Sequence, residues 1–361
     1  MVERPLHPVC RIHIDELGDE IGVWQHATGA RPNRAFGYCT DDVARALEVD
    51  LLHSRALGWG AVEASARRSM AFLAAAFNVH QGRFRNFRSA GGEWLEEIGS
   101  EDCHARALFS LAIAMADAPD PGLAGDAARL FRQALPAARA LIGLRPIAAT
   151  LLAYDAALRG GADGEVPASF RALAVRLAGA FTDLASDWPW PESVVTYENA
   201  LLPRALIAAG SRLGDEGMLR AGCRVLDWLT VAQTTDSGRL SLVGNERWWR
   251  RGDSPARFDQ QPIDAASLLL AAEAAFVATA AERYRKVAEM AYGWFLGDND
   301  MSVPVAIPAT GGCHDGLTPG GVNLNQGAES TLMWLTALEH MRRLRAASRS
   351  SEAAVSGLTL P

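Results

Sequence analysis

Acidic, amide and aromatic residues recur in five short clusters: Thr40-Asp41-Asp42, Glu101-Asp102-Cys103-His104, Thr196-Tyr197-Glu198-Asn199, Phe258-Asp259-Gln260-Gln261 and Asn325-Gln326-Gly327-Ala328-Glu329. Each sits where a helix-like run begins, so any one acid has an ordinary use as an N-cap or as an offset to the helix dipole. Five acidic starts in one chain ask for more. Carboxylates and amides take sugar hydroxyls two at a time, and flat rings cover the apolar faces of a pyranose. Paired carboxylates also supply the acid and base of glycosidic cleavage. Asp102, with Asp41 or Asp42, is the expected catalytic set, and Asp259 is the next candidate. Glu101, His104, Tyr197, Glu198, Gln260, Gln261, Gln326, Glu329 and the loop pair His314-Asp315 are the expected binders of hydroxyls.

Loop tryptophans extend the pattern: Trp94, Trp188-Pro-Trp190 and Arg247-Trp248-Trp249-Arg250-Arg251. At least two of the five are expected to line the same cavity. The basic run also admits another use, gripping an anionic group through Arg250 and Arg251. Other chemistries find little support. There is no His-Glu-x-x-His spacing, no Gly-x-Ser-x-Gly elbow and no glycine-rich phosphate loop behind a strand. No metal and no cofactor are expected.

The elements that must hold these residues are helical. Apolar residues recur at three and four over long windows, predicting helices at 41–57, 61–77, 102–117, 123–140, 146–158, 168–186, 199–212, 216–233, 262–279, 281–296 and 326–346. Arg239–Gly244 and Ser302–Ile307 are the strand candidates. The helices fall in pairs whose first members start near Asp41, Asp102, Arg145, Glu198, Gln261 and Gln326. Two of the starts match without gaps, Asp41-Asp-Val-Ala-Arg-Ala-Leu47 on Asp102-Cys-His-Ala-Arg-Ala-Leu108, and Arg204-Ala-Leu206 repeats the end. Paired-helix repeats make an open solenoid or a closed ring. Six pairs with unequal periods and long loops favour an all-α, closed (α/α)6 toroid. Residues 1–346 read as a single domain and 347–361 as a disordered tail. The sixth outer helix is undetermined between the segment 10–22 and the C-terminal residues.

Composition bounds the rest. The 361 residues are 49% hydrophobic with a formal net charge of −7, a folded composition that argues against nucleic acid as a main partner. No stretch of about 20 uncharged apolar residues predicts a membrane span, and the start shows no leader pattern. Five scattered cysteines read as buried thiols. The expected location is cytoplasmic.

The segments Thr40–Leu47, Glu101–Leu108, Thr196–Arg204, Phe258–Ile263 and Asn325–Ser330 resemble a bacterial group of (α/α)6 proteins that occur beside, or fused to, glycosyltransferases and mannoside phosphorylases. The resemblance implies glycan chemistry, on mannosides, with such an enzyme as partner in the same pathway. The sequence lacks the two Rossmann-like halves of a nucleotide-sugar transferase. The leading expectation is therefore a glycoside hydrolase acting on an oligosaccharide. Two alternatives stand beside it: a non-catalytic sugar-binding partner of a transferase, and a sugar epimerase or isomerase using His104 and His314. Lyase chemistry is disfavoured by the acidic character of the helix starts.

Overall fold

The computed structural model describes residues 3–356, with side chains through residue 347. Twelve α-helices lie among the described residues. A short α1 (Ile12–Leu17) opens the chain. Five pairs follow: α2 (Thr40–Leu57) with α3 (Glu63–Ala76), α4 (Glu101–Asp117) with α5 (Pro121–Ala138), α6 (Leu144–Arg159) with α7 (Val166–Gly179), α8 (Leu201–Leu213) with α9 (Glu216–Ala232), and α10 (Pro262–Thr279) with α11 (Glu282–Phe295). Last comes α12 (Ala328–Ser356). The tail expected from 347 falls mostly outside the described side chains.

The first members pack on one another in order, α2 on α4, α4 on α6, α6 on α8, α8 on α10 and α10 on α12, and α12 returns to α2. That last contact closes the ring, so the protein is an (α/α)6 toroid. Each of α3, α5, α7, α9 and α11 backs its own inner partner. At the sixth outer position α1 packs on α12, while the preceding extended segment is tied across α11 and α12. Tyr292 donates to the Pro5 carbonyl, and Arg342 and Arg345 donate to the carbonyls of His7 and Arg4. The N-terminal alternative is therefore the one the chain uses.

Small side chains let the inner helices approach closely: Ala44, Ala105, Ala107, Ala148, Ala265 and Ala266 are fully buried. Among the described residues α10 is the one helix long and apolar enough to cross a bilayer, although Asp264 and Glu273 interrupt it. Here it is an inner-ring helix with 67% of that stretch buried. Its all-round apolarity follows from having protein on every side.

Among the described residues the β structure is six ladders of two or three residues in the loops, with a few isolated bridges. Arg239–Gly244 forms no strand, only a single bridge between Thr234 and Leu240. Of Ser302–Ile307, Ala306–Ile307 alone is a strand, paired with Gly312–Cys313. Two pairings position site residues. Tyr38–Cys39 pairs with Phe87–Arg88, drawing a loop over the start of α2, and Gln260 exchanges backbone hydrogen bonds with Leu317 just ahead of α10.

Candidate functional site

One end of the ring holds a cavity of about 460 Å³. Asp41, Asp42 and Arg45 of α2 line it, with Asp259 and Gln261 before α10 and Asp315, Glu329 and Ser330 around the start of α12. Gln25, His26, Asn86, Phe87, Asn245 and Asn323 complete the wall from the loops. Five of the expected acids and one of the expected amides thus share one space. They come from α2, the turn before α10, and the loop and first turn of α12, segments far apart in sequence.

The α2 face is the most perturbed part. Asp41 is half-buried, and its Oδ1 has neither solvent access nor a hydrogen-bond partner. Burial pushes its carboxyl up, against the pull of Arg45 and Arg106. Asp42 is buried, and burial raises it to about 8 although Arg45 Nη1 lies 3.1 Å from its Oδ1. The other end of the same guanidinium, Nη2, lies 3.0 Å from Glu329 Oε2. Burial works against the Arg45 charge, but Glu329, Asp42 and Asp41 outweigh it, and the group is held cationic. One arginine therefore ties α2 to α12 at the cavity floor.

Across the cavity, Asp259 is raised by burial and by its like-charged neighbours Asp315 and Glu246. Asp315 is fixed by accepting the Gly327 N–H at 2.7 Å, ahead of α12. The backbone is tight here. A Cβ on Gly316 would stand 2.7 Å from the Gln260 carbonyl oxygen and 3.2 Å from Asp259 Oδ1, so only glycine lets these two segments meet.

Asp102 stands beside this cavity, outside its lining, though its charge acts on Asp41. Tyr197 donates to Asp102 Oδ2 at 2.7 Å, and burial followed by that bond pushes the phenol well up. The Arg145 guanidinium lies 4.7 Å from the Tyr197 ring centre and donates to the Tyr197 carbonyl and to Glu192 and Asn199. Glu198 adopts φ 45°, uncommon outside glycine, and pairs with Arg106 at 2.5 Å. Behind it, buried Asp264 is raised to about 7 by desolvation.

Other expected binders stand elsewhere. Glu101 accepts the backbone N–H groups of Ile142 and Gly143, bracing the approach to α6. His104 is fully buried and bonds through Nε2 to the Ala134 carbonyl of α5, because two residues after Asp102 is the far side of a helix. Gln260 is buried, accepting from Trp294 Nε1 and donating to Asp300. Gln326 is buried next to His13, which bonds its carbonyl. His314 is half-buried and outside the lining. None of the five tryptophans lines the cavity. Trp188, Trp190 and Trp249 join Trp228 in an aromatic cluster, and Trp94 packs on Phe72. Their large apolar surfaces are used under the loops. Trp248 is the exposed one, held by its Nε1 on the Asn245 Oδ1.

Sequence reasoning missed Arg45 and Arg106, although the signal was present. They are the arginines of the two matching helix starts, four residues after Asp41 and Asp102, and so on the same helix faces. Gln25, His26, Asn86, Phe87, Asn245 and Asn323 come from irregular loops and follow no period. Among the described residues no group of three His, Cys, Asp or Glu is placed to hold a metal ion.

No protein-family model matches the chain, and no curated protein matches it. Solved structures do share the fold. Cellobiose 2-epimerase from Spirochaeta thermophila superposes with a TM-score of 0.69 at 16% identity, over 90% of each chain. A D-mannose isomerase gives 0.71 at 11% identity, over 92% of this chain and 94% of the other. An alpha-mannanase of glycoside hydrolase family 76 from Bacteroides thetaiotaomicron gives 0.65 at 9% identity, over 93% and 94%.

Proposed function

We propose that the protein is a glycoside hydrolase acting on an oligosaccharide, with a mannoside as the first substrate class to test. The observation that carries this reading is Asp41: a buried, unpartnered carboxyl oxygen, pushed toward its protonated form, at a cavity walled by further carboxylates. Asp41 is the proton donor to the leaving oxygen, and Asp259, across the same cavity, activates water. Asp102, held by Tyr197, modulates Asp41 through its charge. Arg45 keeps Glu329 and Asp42 in place for hydroxyl binding. Among the toroids of like fold is an alpha-1,6-mannanase made inactive by replacing two consecutive aspartates and bound to alpha-1,6-mannotetrose. Asp41-Asp42 is a consecutive pair at this chain's cavity.

The epimerase or isomerase reading loses both of its histidines, since His104 faces the outer helix and His314 stands outside the cavity lining. His26, which lines the cavity, is the group that keeps it in view. A panel of manno- and gluco-oligosaccharides run in D₂O separates the two chemistries: hydrolysis gives new reducing ends, epimerisation gives an isomer carrying deuterium at carbon. Asp41→Asn and Asp259→Asn are expected to lower hydrolysis by about 100- to 10,000-fold with sugar binding retained, and Asp102→Asn by less. Near wild-type turnover in Asp41→Asn would remove the assignment. The non-catalytic alternative predicts binding with no turnover of any panel member.

A further inference from the structure

The opposite end of the ring, where the inner helices finish, holds a second cavity of about 330 Å³. Its inner wall carries two ionisable groups without an ion-pair partner. Glu48 lies seven residues after Asp41 on the inward face of α2, and its Oε1 is shielded from solvent with no hydrogen bond. Arg204 of α8 makes no hydrogen bond or ion pair among the described residues, and its guanidinium rests 5.7 Å from the Phe109 ring centre. Nearer the mouth, Arg343 of α12 is exposed and likewise unpaired among the described residues.

The other charges of this end are already matched. Asp117 serves Arg55 and Arg159, Asp155 serves Arg212, and Glu273 holds His340 at 2.5 Å. What remains is two arginines against Glu48, whose carboxyl burial raises to about 7. Burial also pulls Arg204 down, with Glu273, Glu48 and Glu198 compensating only in part. Arg204 is half-buried, and a guanidinium short of an acceptor leaves donors that a ligand can satisfy. Its donors point into an open space, and a Glu48 carrying its proton adds a further donor. Phe109, Ile113, Leu270 and Val277 give the same space apolar walls, and its volume is at the lower end of small-molecule sites, about 300–1,000 Å³.

We propose that this cavity is a binding site for an oxyanion, taken either as a free inorganic ion or as the phosphate end of a sugar, with Arg204 as its deep contact and Arg343 as its gate. Arg204 grips the anion in the fork geometry that guanidinium offers to phosphate and sulfate. The site is separate from the carboxylate cavity and does not depend on the hydrolase reading.

The test is calorimetric titration of the full chain with sulfate at constant ionic strength, beside mannose 6-phosphate and neutral mannose, and a parallel melting scan. Sulfate is expected to bind with Kd of about 1 mM, so that 10 mM raises Tm by roughly 2 °C. Arg204→Met should weaken binding at least tenfold and abolish the specific part of that shift. In oxyanion-free buffer it should melt no lower than wild type, since an uncompensated cation has been removed. Arg343→Gln, at the surface, gives an independent arm that should weaken binding a few fold. Asp41→Asn should leave oxyanion affinity unchanged even where it abolishes turnover, so the two readings fail separately. Mannose 6-phosphate binding tenfold tighter than both sulfate and mannose identifies a sugar phosphate, and equal affinity for the two anions identifies a free ion. No sulfate heat, or full affinity in both arginine variants, overturns the proposal.

Discussion

Asp42→Asn tests the electrostatics of the carboxylate cavity without needing a substrate. Two forces act on this carboxyl. Its 3.1 Å contact with Arg45 favours the charge, and burial disfavours it and prevails, raising the group to about 8. In the unfolded chain an aspartate titrates near about 3.9. Between about pH 4 and 8 the folded protein therefore holds one more proton at this position than the unfolded chain. By linkage, that extra proton makes stability fall as pH rises through the window, by about 1.4 kcal/mol per pH unit. Asparagine removes the titration and keeps the shape. From pH 5.0 to 7.5 the stability of Asp42→Asn relative to wild type is expected to rise by about 3 kcal/mol. Urea unfolding followed by circular dichroism at half-unit pH steps measures that difference, and titrating groups that do not interact with Asp42 cancel between the two proteins. A difference that stays flat across the window would show Asp42 ionised throughout. The Arg45 contact would then outweigh burial, and the case for protonated carboxyls in this cavity would fall with it.

Other perturbations separate structure from chemistry. Gly316→Ala places a methyl 2.7 Å from the Gln260 carbonyl oxygen; a loss of about 1–3 kcal/mol in urea unfolding, with reduced turnover as Asp259 is displaced, is expected. Glu101→Gln weakens the carboxylate's hold on two backbone N–H groups at 2.9 and 2.8 Å; melting should drop, by the equivalent of about 1–3 kcal/mol, while kcat stays near wild type. Burial pulls His53 and His104 down to about 3. Below the unfolded value near about 6.5 the unfolded chain takes up their protons first, so each contributes a loss of about 1.4 kcal/mol per pH unit on acidification toward 3. His104→Gln should therefore flatten the acid limb of stability between pH 6 and 4, and an unchanged limb would contradict the buried neutral imidazole.

The sequence by itself determined the helical pairs, their order and the inner starts. Those follow from local rules: apolar residues at helical spacing, alanine where backbones meet, and a matched Asp-x-x-Ala-Arg-Ala-Leu run in two repeats. The same spacing already held more than was taken from it. Asp41, Arg45 and Glu48 fall on one face of α2, and Asp102 and Arg106 on one face of α4, whereas His104 lies opposite Asp102 and turns to α5. Tertiary structure decided what no local rule reaches. Closing the ring through α12 on α2 set Glu329 against Arg45, residues 284 positions apart, and stitching Gln260 to Leu317 set Asp259 beside Asp315. The tryptophans show the same division. Their composition suggested a sugar platform, but large apolar surfaces gain more by burying one another beneath loops, and only the packed fold shows which of them do so. Burial of carboxyls is likewise a property of the closed ring. The types of the acids were plain from the chain, and their protonation came from the walls the fold built around them.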